Sequence, residues 1–475
     1  MTDINVWVQQ EVQGSNFGDK RLNNRFAHLL NAFSITPNNS IPGTCKSWGE
    51  TIAAYRFFNN TNVTQEKILA SHIEATMERI REQEVVLIPQ DTTEINFSDR
   101  QKIDGMGYLG KESSQGFYLH PGIAITPEGL HLGIVDFQTW TRTELGKSKD
   151  SNYKPIEAKE SYCWIKGYEA ANKIALASPN TTVVSIADRE GDIYELLTQI
   201  PSESNKAYFL IRSTRNRKTC GTTTDCQEKL HDLVKKEKPI STLEFKLPAG
   251  KIYSRSIIKE RGARSPRTVI QEIRIATTNL SVPYRKDKNL SSVPITIIHC
   301  VELNPPSEDE KLEWFLLTSY PVNDAESAKM IIDWYLHRWQ IETFFKTLKT
   351  GCTIEDLQFE NLKATSNCIA LYSIVSWRIL YLTMLGRICP DIKCDAVFET
   401  LEWQSVYSIV HKKKASPQNI PTLNQMIIMI ATLGGFLNRK SDGYPGPKVM
   451  WIGLQRMKDF TLAWQTLKEI SEKPT

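Results

Sequence analysis

Apolar residues recur at helical spacing through the first eighty positions of the chain. From Gly18 to Ala32, Leu22, Phe26, Leu29 and Leu30 interleave with Asp19, Lys20, Arg21 and Arg25. Ser47 to Phe58 repeats the arrangement with Tyr55, Arg56 and Phe57, and Pro37 and an Asn-Ser-Ile-Pro-Gly run separate the two. Two basic amphipathic helices suit a surface helix pair or a small DNA-binding module equally well.

The texture changes at Val85. Val85-Val86-Leu87-Ile88-Pro89 is a short, wholly apolar run, the pattern of a buried strand, and it ends at Gln90-Asp91-Thr92-Thr93. Phe117–Thr126 and His131–Thr141 read as strands joined by a Pro-Glu-Gly turn. Pro155 to Ala177 reads as a helix. Thr181–Ala187 is a second apolar, β-branched run, ending at Asp188-Arg189-Glu190-Gly191-Asp192; a helical segment follows, then a strand, Tyr208–Arg212. Strands alternating with helices predict an α/β layer.

Between Ser213 and Glu313 short β-type runs, turns and positive charge dominate, with Arg215, Arg217, Lys218, Lys235, Lys236, Lys238, Arg255, Lys259, Arg261, Arg264, Arg267, Arg285, Lys286 and Lys288 all falling here. This is a β-rich insertion. Trp314–Thr318 resumes the strand texture, and Ala325 to Thr350 is predicted as one long helix ending at Gly351, a suitable C-cap. The remainder is helical, with loops near Lys412–Pro417 and Asp442–Pro447. Ile369 to Leu385 is the most apolar stretch, but Ser373, Ser376 and Arg378 interrupt it, so a buried helix is expected rather than a membrane span.

Composition changes this picture little. Hydrophobic content of 40 % and charged content of 24 % suit a soluble globular protein. The net charge is only +4, so a nucleic-acid partner must be argued from local clusters. Nine cysteines at irregular spacing, an odd count, and no signal-peptide pattern point to reduced thiols in a cytosol. Cys220/Cys226 and Cys389/Cys394 lack the spacing of a zinc knuckle, and HExxH, Walker and GxGxxG motifs are absent.

The informative segment runs from Asp333 to Lys349. Tyr335, Arg338, Glu342, Lys346 and Lys349 follow each other at three, four, four and three residues. On one continuous helix they would share an arc of roughly 80°. Ile332, Leu336, Trp339, Phe344, Phe345 and Leu348 are left for burial. From periodicity alone, a solvated stripe with Arg338–Glu342 and Glu342–Lys346 ion pairs explains such a face better than a site does. Asp91 and Asp188 change the balance, because each directly follows an apolar strand-like run, where α/β sheets place ligands. Three acids in one α/β layer suit hard divalent cations, which take oxygen ligands and retain substrate phosphate oxygens. Two such ions can hold the attacking and leaving oxygens of a phosphoryl displacement. Glu94, Glu190 and Asp192 are the nearby competitors; Asp188 is preferred to Asp192 as the nearer to the strand end.

Tyr335-x2-Arg338-x3-Glu342-x6-Lys349 resembles the YREK signature of bacterial DDE transposases of insertion-sequence family four. The resemblance spans nearly the whole chain. Phe17-Gly-Asp-Lys-Arg-Leu and Ala54-Tyr-Arg-Phe resemble the family's N-terminal DNA-binding region. Asp91-Thr-Thr and Asp188-Arg-Glu-Gly-Asp resemble the settings of its first two catalytic acids. Asn304-Pro-Pro and Trp314-Phe-Leu-Leu-Thr-Ser resemble the stretch before its catalytic helix, and Leu433-Gly-Gly-Phe with Trp451 its C-terminal region.

The resemblance implies an α/β fold: an RNase H-like catalytic core with a β-rich insertion, plus helical N-terminal and C-terminal domains. The expected organisation is an N-terminal DNA-binding domain over 1–75, the core over 76–212 and 314–360, the insertion over 213–313, and a C-terminal dimerisation domain over 361–475. The implied activity is cut-and-paste transposition by a homodimer on double-stranded DNA, at the element's inverted repeat ends and then at target DNA. It uses Mg²⁺, with Mn²⁺ substituting and two ions per site, in the bacterial cytoplasm, nucleoid-associated when bound to DNA and without a membrane. Asp91, Asp188 and Glu342 are the implied metal ligands. Tyr335 and Arg338 would hold the phosphate of a nucleotide flipped near a hairpin intermediate, with Trp314 stacking on its base. A core Trp is the alternative for Trp314. Lys346 and Lys349 would meet DNA phosphates, and so would Arg212, Arg215 and Arg217, which alternate along a strand and its exit. Arg21, Arg25 and Arg56 are candidates for the inverted ends. A nuclease without strand transfer, or a DNA-binding regulator descended from a transposase, are the competing classes.

Overall fold

The structure is a computed structural model and describes residues 4–45, 47–111, 113–144, 154–199, 206–220, 228–247, 249–253, 260–283, 291–307, 311–416 and 418–472. Arg255, Lys259, Arg285, Lys286 and Lys288 of the insertion's basic set, and Cys226, lie outside the described residues.

The helices in chain order are α1 (Val6–Val12), α2 (Lys20–Ile35), α3 (Ile41–Cys45), α4 (Trp48–Asn59), α5 (Gln65–Arg81), α6 (Tyr162–Ala177), α7 (Tyr194–Leu197), α8 (Leu230–Lys236), α9 (Ala325–Leu336), α10 (Trp339–Lys346), α11 (Leu362–Ile388), α12 (Thr400–His411), α13 (Leu423–Leu433) and α14 (Pro447–Glu472). The strands are β1 (Val85–Pro89), β2 (Thr93–Asn96), β3 (Gly116–Ile125), β4 (His131–Trp140), β5 (Thr182–Ala187), β6 (Tyr208–Arg212), β7 (Thr219–Cys220), β8 (Ser241–Leu247), β9 (Gly250–Tyr253), β10 (Glu260–Arg264), β11 (Arg267–Leu280), β12 (Val293–Glu302) and β13 (Glu313–Thr318). They fall into two compact units, one of residues 1–83, 92–147 and 340–475, the other of 84–91 and 148–339.

The first unit is mainly helical. Asp19, Ser47 and Thr64 start α2, α4 and α5, each side chain accepting a backbone N–H of the first turn. Phe17, Phe26, Phe57 and Phe58 join edge to face in the core between α2 and α4. β2 and β4 flank β3 as antiparallel partners. β3 is buried along its whole length, and Gly129, at φ 91°, makes the turn into β4. The apolar run seen in the sequence is α11, buried over most of its circumference in this unit. Its hydroxyls do not oppose burial: Ser373 and Thr383 donate to the carbonyls of Ile369 and Ile379, one turn back. α12, α13 and α14 close around Trp403, Met426, Ile427, Ile430 and Met450.

The second unit is built on a sheet. β1, β5 and β6 are parallel and neighbouring, in the order β1-β5-β6. Their central residues are buried, as their mainly apolar sequences require. β13 then pairs antiparallel with β6, β12 with β13, and β11 with β12. β7 and β8 both pair with β11, so the insertion's strands extend the sheet, while β9 and β10 form a separate hairpin. The α/β core with its β-rich insertion and flanking helices is therefore the observed architecture. The helix expected from Pro155 begins only at Tyr162. A 3-10 turn over Ile156–Ala158 precedes it, with Lys159 N–H donating three residues back to Ile156.

The largest departure concerns the helix expected to run unbroken from Ala325 to Thr350. α9 stops at Leu336. The amides of His337 and Arg338 bond three residues back, to Trp334 and Tyr335, and α10 starts afresh at Trp339. Residues 347–351 then widen into a π-helical turn in which Cys352 N–H reaches Thr347 C=O. Tyr335 and Arg338 belong to the second unit, and Glu342, Lys346 and Lys349 to the first. Of the residues assigned to its apolar side, Ile332, Phe344, Phe345 and Leu348 are buried, whereas Leu336 and Trp339 are exposed at 43 % and 61 %.

Candidate active site

In the second unit the pairing of β1 with β5 sets Pro89 opposite Ile186, and Gln90 N–H donates to Ile186 C=O at 3.1 Å. The same register carried two steps further brings Asp91 opposite Asp188, just past the carboxyl ends of adjacent parallel strands. Gln90 is fully buried and secures this end, its amide donating to Ser185 Oγ at 2.9 Å. Gly167 of α6 leaves the space that the amide fills; a Cβ there would come within 2.0 Å of Gln90 Oε1.

Asp188 opens a 3-10 turn over Arg189–Gly191 and accepts the N–H of Glu190 at 2.6 Å. The turn folds tightly on the strand it leaves, and a Cβ on Gly191 would lie 2.5 Å from that of Ala187. Asp192 is different in kind. It is buried, and it accepts the amides of Thr214 and Arg215 at 2.8 and 2.9 Å and the guanidinium of Arg217. A buried carboxylate needs such donors, and here it uses them to hold the exit of β6. Arg217 is consequently turned inward and does not share a strand face with Arg212 and Arg215. Arg215 is exposed.

Arg338 Nη1 lies 3.2 Å from Asp91 Oδ2, with both side chains largely shielded. Tyr335, one turn earlier on α9, is 5 % exposed and meets Trp314 of β13 edge to face at 6.3 Å. Burial pushes the Tyr335 phenol above its ordinary range, with Asp188 adding to the shift and Arg338 and Arg212 opposing it. Burial likewise weakens the Arg212 cation; Arg189 and Arg338 add to that, and Tyr335 and Asp188 oppose it. Asp91, Asp188, Arg212, Trp314, Tyr335 and Arg338 thus form one neighbourhood, with the exposed Arg189 near enough to act on the Arg212 cation. Arg189 was not singled out in the sequence, although its place beside Asp188 in the Asp-Arg-Glu-Gly-Asp run was the available signal.

In the first unit, Glu342 is half-buried on α10 and Lys346 is exposed. Lys349 donates to Glu94 C=O and lies 3.8 Å from Glu355 Oε1. Gly351 does more than end a helix, since a Cβ would press against the Trp451 ring at 2.9 Å. Arg21 is 91 % exposed and paired with Asp19, Arg25 pairs with Glu50 of α4, and Arg56 is exposed.

Asp91 and Asp188 offer the hard oxygen donors that a divalent cation takes. Asp91 already has a cationic neighbour in Arg338, so the position tolerates positive charge. The pair therefore fits as part of a metal site. Among the described residues no three His, Cys, Asp or Glu side chains converge closely enough to hold an ion by themselves.

Three family profiles match the chain in succession. Residues 4–63 match Transposase DNA-binding, residues 129–377 match Transposase DDE domain, and residues 374–473 match Transposase Tn5 dimerisation domain. Asp188 and Glu342 lie inside the DDE match and Asp91 precedes it. Among solved structures, the chain is similar to the cryo-EM structure of the piggyBac transposase synaptic complex with hairpin DNA. The identity is 11 % and the TM-score 0.35, over 83 % of this chain and 78 % of that one.

Sheet, strand-end acids and matched domains together define an α/β enzyme of DNA phosphoryl transfer. The chain belongs to the DDE transposases, of the kind that joins a DNA-binding domain, a DDE domain and a dimerisation domain. It is a transposase that depends on divalent metal, binds DNA and forms dimers.

Proposed function

We propose that Asp91, Asp188 and Glu342 are the catalytic acids and hold two Mg²⁺ ions, with Mn²⁺ able to replace them. The observation that carries this reading is the level placement of Asp91 and Asp188 on adjacent parallel strand ends, with Arg338 against Asp91. The bound ions would supply a water activated for attack and charge stabilisation at phosphorus. The chain's own side chains orient the DNA. Arg189, Arg212 and Arg338 offer donors to phosphate oxygens, which guanidinium groups grip in pairs. Lys346 and Arg215 are exposed and suit the flanking backbone. Lys349 first has to leave Glu94. Arg217 acts as the anchor of its loop through Asp192.

At the inverted ends water first cuts one strand, the freed 3′-hydroxyl displaces the opposite strand to close a hairpin, a second water reopens it, and the regenerated 3′-hydroxyl then attacks target DNA. The contact between Trp314 and Tyr335, beside Arg338, supports the hairpin step: an indole for a displaced base lies next to donors for its phosphate. Arg21, Arg25 and Arg56 contact the inverted repeats, Arg25 on release from Glu50. Residues 1–75, 76–212 with 314–360, 213–313 and 361–475 serve as end-binding, catalytic, insertion and dimerisation segments, and a homodimer acts on paired ends at the bacterial nucleoid in the cytoplasm.

The test is an end-cleavage assay on a duplex carrying the terminal inverted repeat that flanks the gene, followed by an assay for joining to a plasmid target. Metal-dependent nicking, a hairpin product and joined target support the reading. Nicking alone would favour a nuclease, and end binding without any metal-dependent product would favour a regulator.

A further inference from the structure

Phe315, the residue after Trp314 on β13, lies between two imidazoles. His231 of α8 stacks on one face at 4.0 Å and 8°, and His299, its cross-strand partner on β12, on the other at 4.5 Å and 7°. Successive strand residues point to opposite faces. Trp314 therefore faces Tyr335 while Phe315 enters this three-ring stack. His299 is held in turn by Glu313 at 2.9 Å, and Lys235 of α8 lies 3.5 Å from the same carboxylate.

The stack also grips β6. His231 Nε2 lies 2.9 Å from Ser213 Oγ, and Ser213 N–H donates to Phe315 C=O at 2.7 Å. Ser213 directly follows Arg212. The N–H of His231 donates to Asn216 Oδ1 and that of Leu230 to Arg217 C=O, so the start of α8 is fastened to the loop that Asp192 holds. His231 thus touches both the ring behind Trp314 and the hydroxyl behind Arg212.

We propose that His231 is a positioning residue for strand cleavage, setting the placement of Trp314 through Phe315 and of Arg212 through Ser213. It touches no substrate. It makes the ends of β6 and β13 one rigid unit, which keeps an aromatic platform and a guanidinium in fixed relation. This rests on the reading that Trp314 and Arg212 serve DNA. Rigid support of this kind matters because a displacement near 1 Å costs on the order of a hundredfold in rate.

The experiment uses the full chain labelled with 5-fluorotryptophan, the Trp314 resonance being assigned by its loss in Trp314→Phe. Three variants divide the role. His231→Ala removes ring and hydrogen bond, His231→Phe keeps the ring, and His231→Gln keeps a partner for Ser213. His231→Ala is expected to move the Trp314 resonance, leave the other tryptophans in place, and slow metal-dependent end cleavage by on the order of ten- to a hundredfold. End affinity stays unchanged. His231→Phe recovers the resonance and most of the rate; His231→Gln recovers less. An unmoved resonance in His231→Ala, or a moved one with wild-type cleavage, overturns the proposal. Wild-type hairpin formation by Trp314→Ala would instead remove Trp314 from the DNA reading, and the His231→Ala rate and resonance still decide whether His231 positions the site.

Discussion

Arg338 Nη1 sits 3.2 Å from Asp91 Oδ2, although the two residues are far apart in the chain. On the proposed reading the guanidinium stands where a metal ion would bind, and an ion approaching Asp91 has to compete with it or share the carboxylate. Removing that competitor should make metal easier to bind. Arg338→Gln is expected to lower the Mg²⁺ concentration that half-saturates cleavage several-fold. It also lowers maximal cleavage if, as proposed, the same side chain holds phosphate. A Mg²⁺ titration of end nicking checks both; an unchanged or raised midpoint would detach Arg338 from the metal site.

Trp314 and Tyr335 meet edge to face at 6.3 Å. If the indole serves a displaced base, Trp314→Ala should spare first-strand nicking and suppress hairpin formation by about ten- to a hundredfold, the worth of 1–3 kcal/mol of stacking. Nicking and hairpin yields measured from one time course decide the matter. Equal loss of both would indicate a core tryptophan.

Asp192 and Arg217 form a buried pair, and Arg215 is their exposed neighbour. Breaking a buried pair from one side costs about 3–5 kcal/mol. Arg217→Ala should therefore lower the denaturant midpoint clearly. Arg215→Ala should leave it alone and reduce the log–log salt slope of DNA binding by about 0.9. A variant pair with these effects exchanged would restore Arg217 to the DNA-contacting set.

His120 is buried beside Thr92 Oγ1 at 2.8 Å, and burial pushes its imidazole down to about 3. Its folded value is below the unfolded one, so the unfolded chain takes the proton first as pH falls. Stability is full above about pH 6.5 and is lost towards pH 3, at roughly 1.4 kcal/mol per pH unit. Replacement by Gln removes this contribution. Urea unfolding at pH 7 and pH 5 should show a smaller acid loss in His120→Gln than in the wild type; equal losses would assign the acid sensitivity to other groups.

Much of this architecture was legible because buried parallel strands leave a plain mark. Val85–Pro89 is apolar throughout and Thr182–Ala187 is mostly apolar and β-branched, and the acid following each could be located from that alone. The helix near Glu342 was not legible in the same way. Periodicity assumes 100° per residue, while His337 and Arg338 bond at i−3 with no glycine or proline at the break, and Thr347–Gly351 runs at wider pitch before the glycine that ends it. Alternation misread Arg212, Arg215 and Arg217 for a related reason. The strand ends at Arg212, and the loop beyond it is shaped by Asp192, a residue distant in sequence whose need for donors leaves no local pattern. The Phe315 stack was invisible too, since His231, His299 and Phe315 come from three separate elements.

The most direct measurement is metal-dependent cleavage of an inverted-repeat duplex by Asp91→Asn, Asp188→Asn and Glu342→Gln, with end affinity measured in parallel. Each amide keeps the shape of its acid and removes the charge that holds a divalent ion. The expected result is loss of nicking in both Mg²⁺ and Mn²⁺ for all three, with end binding within about twofold of wild type, since phosphate contacts rather than these acids supply affinity. Sustained nicking by the Asp188→Asn protein would contradict the account at its centre, because the strand-end pair of Asp91 and Asp188 is the feature on which the rest is built.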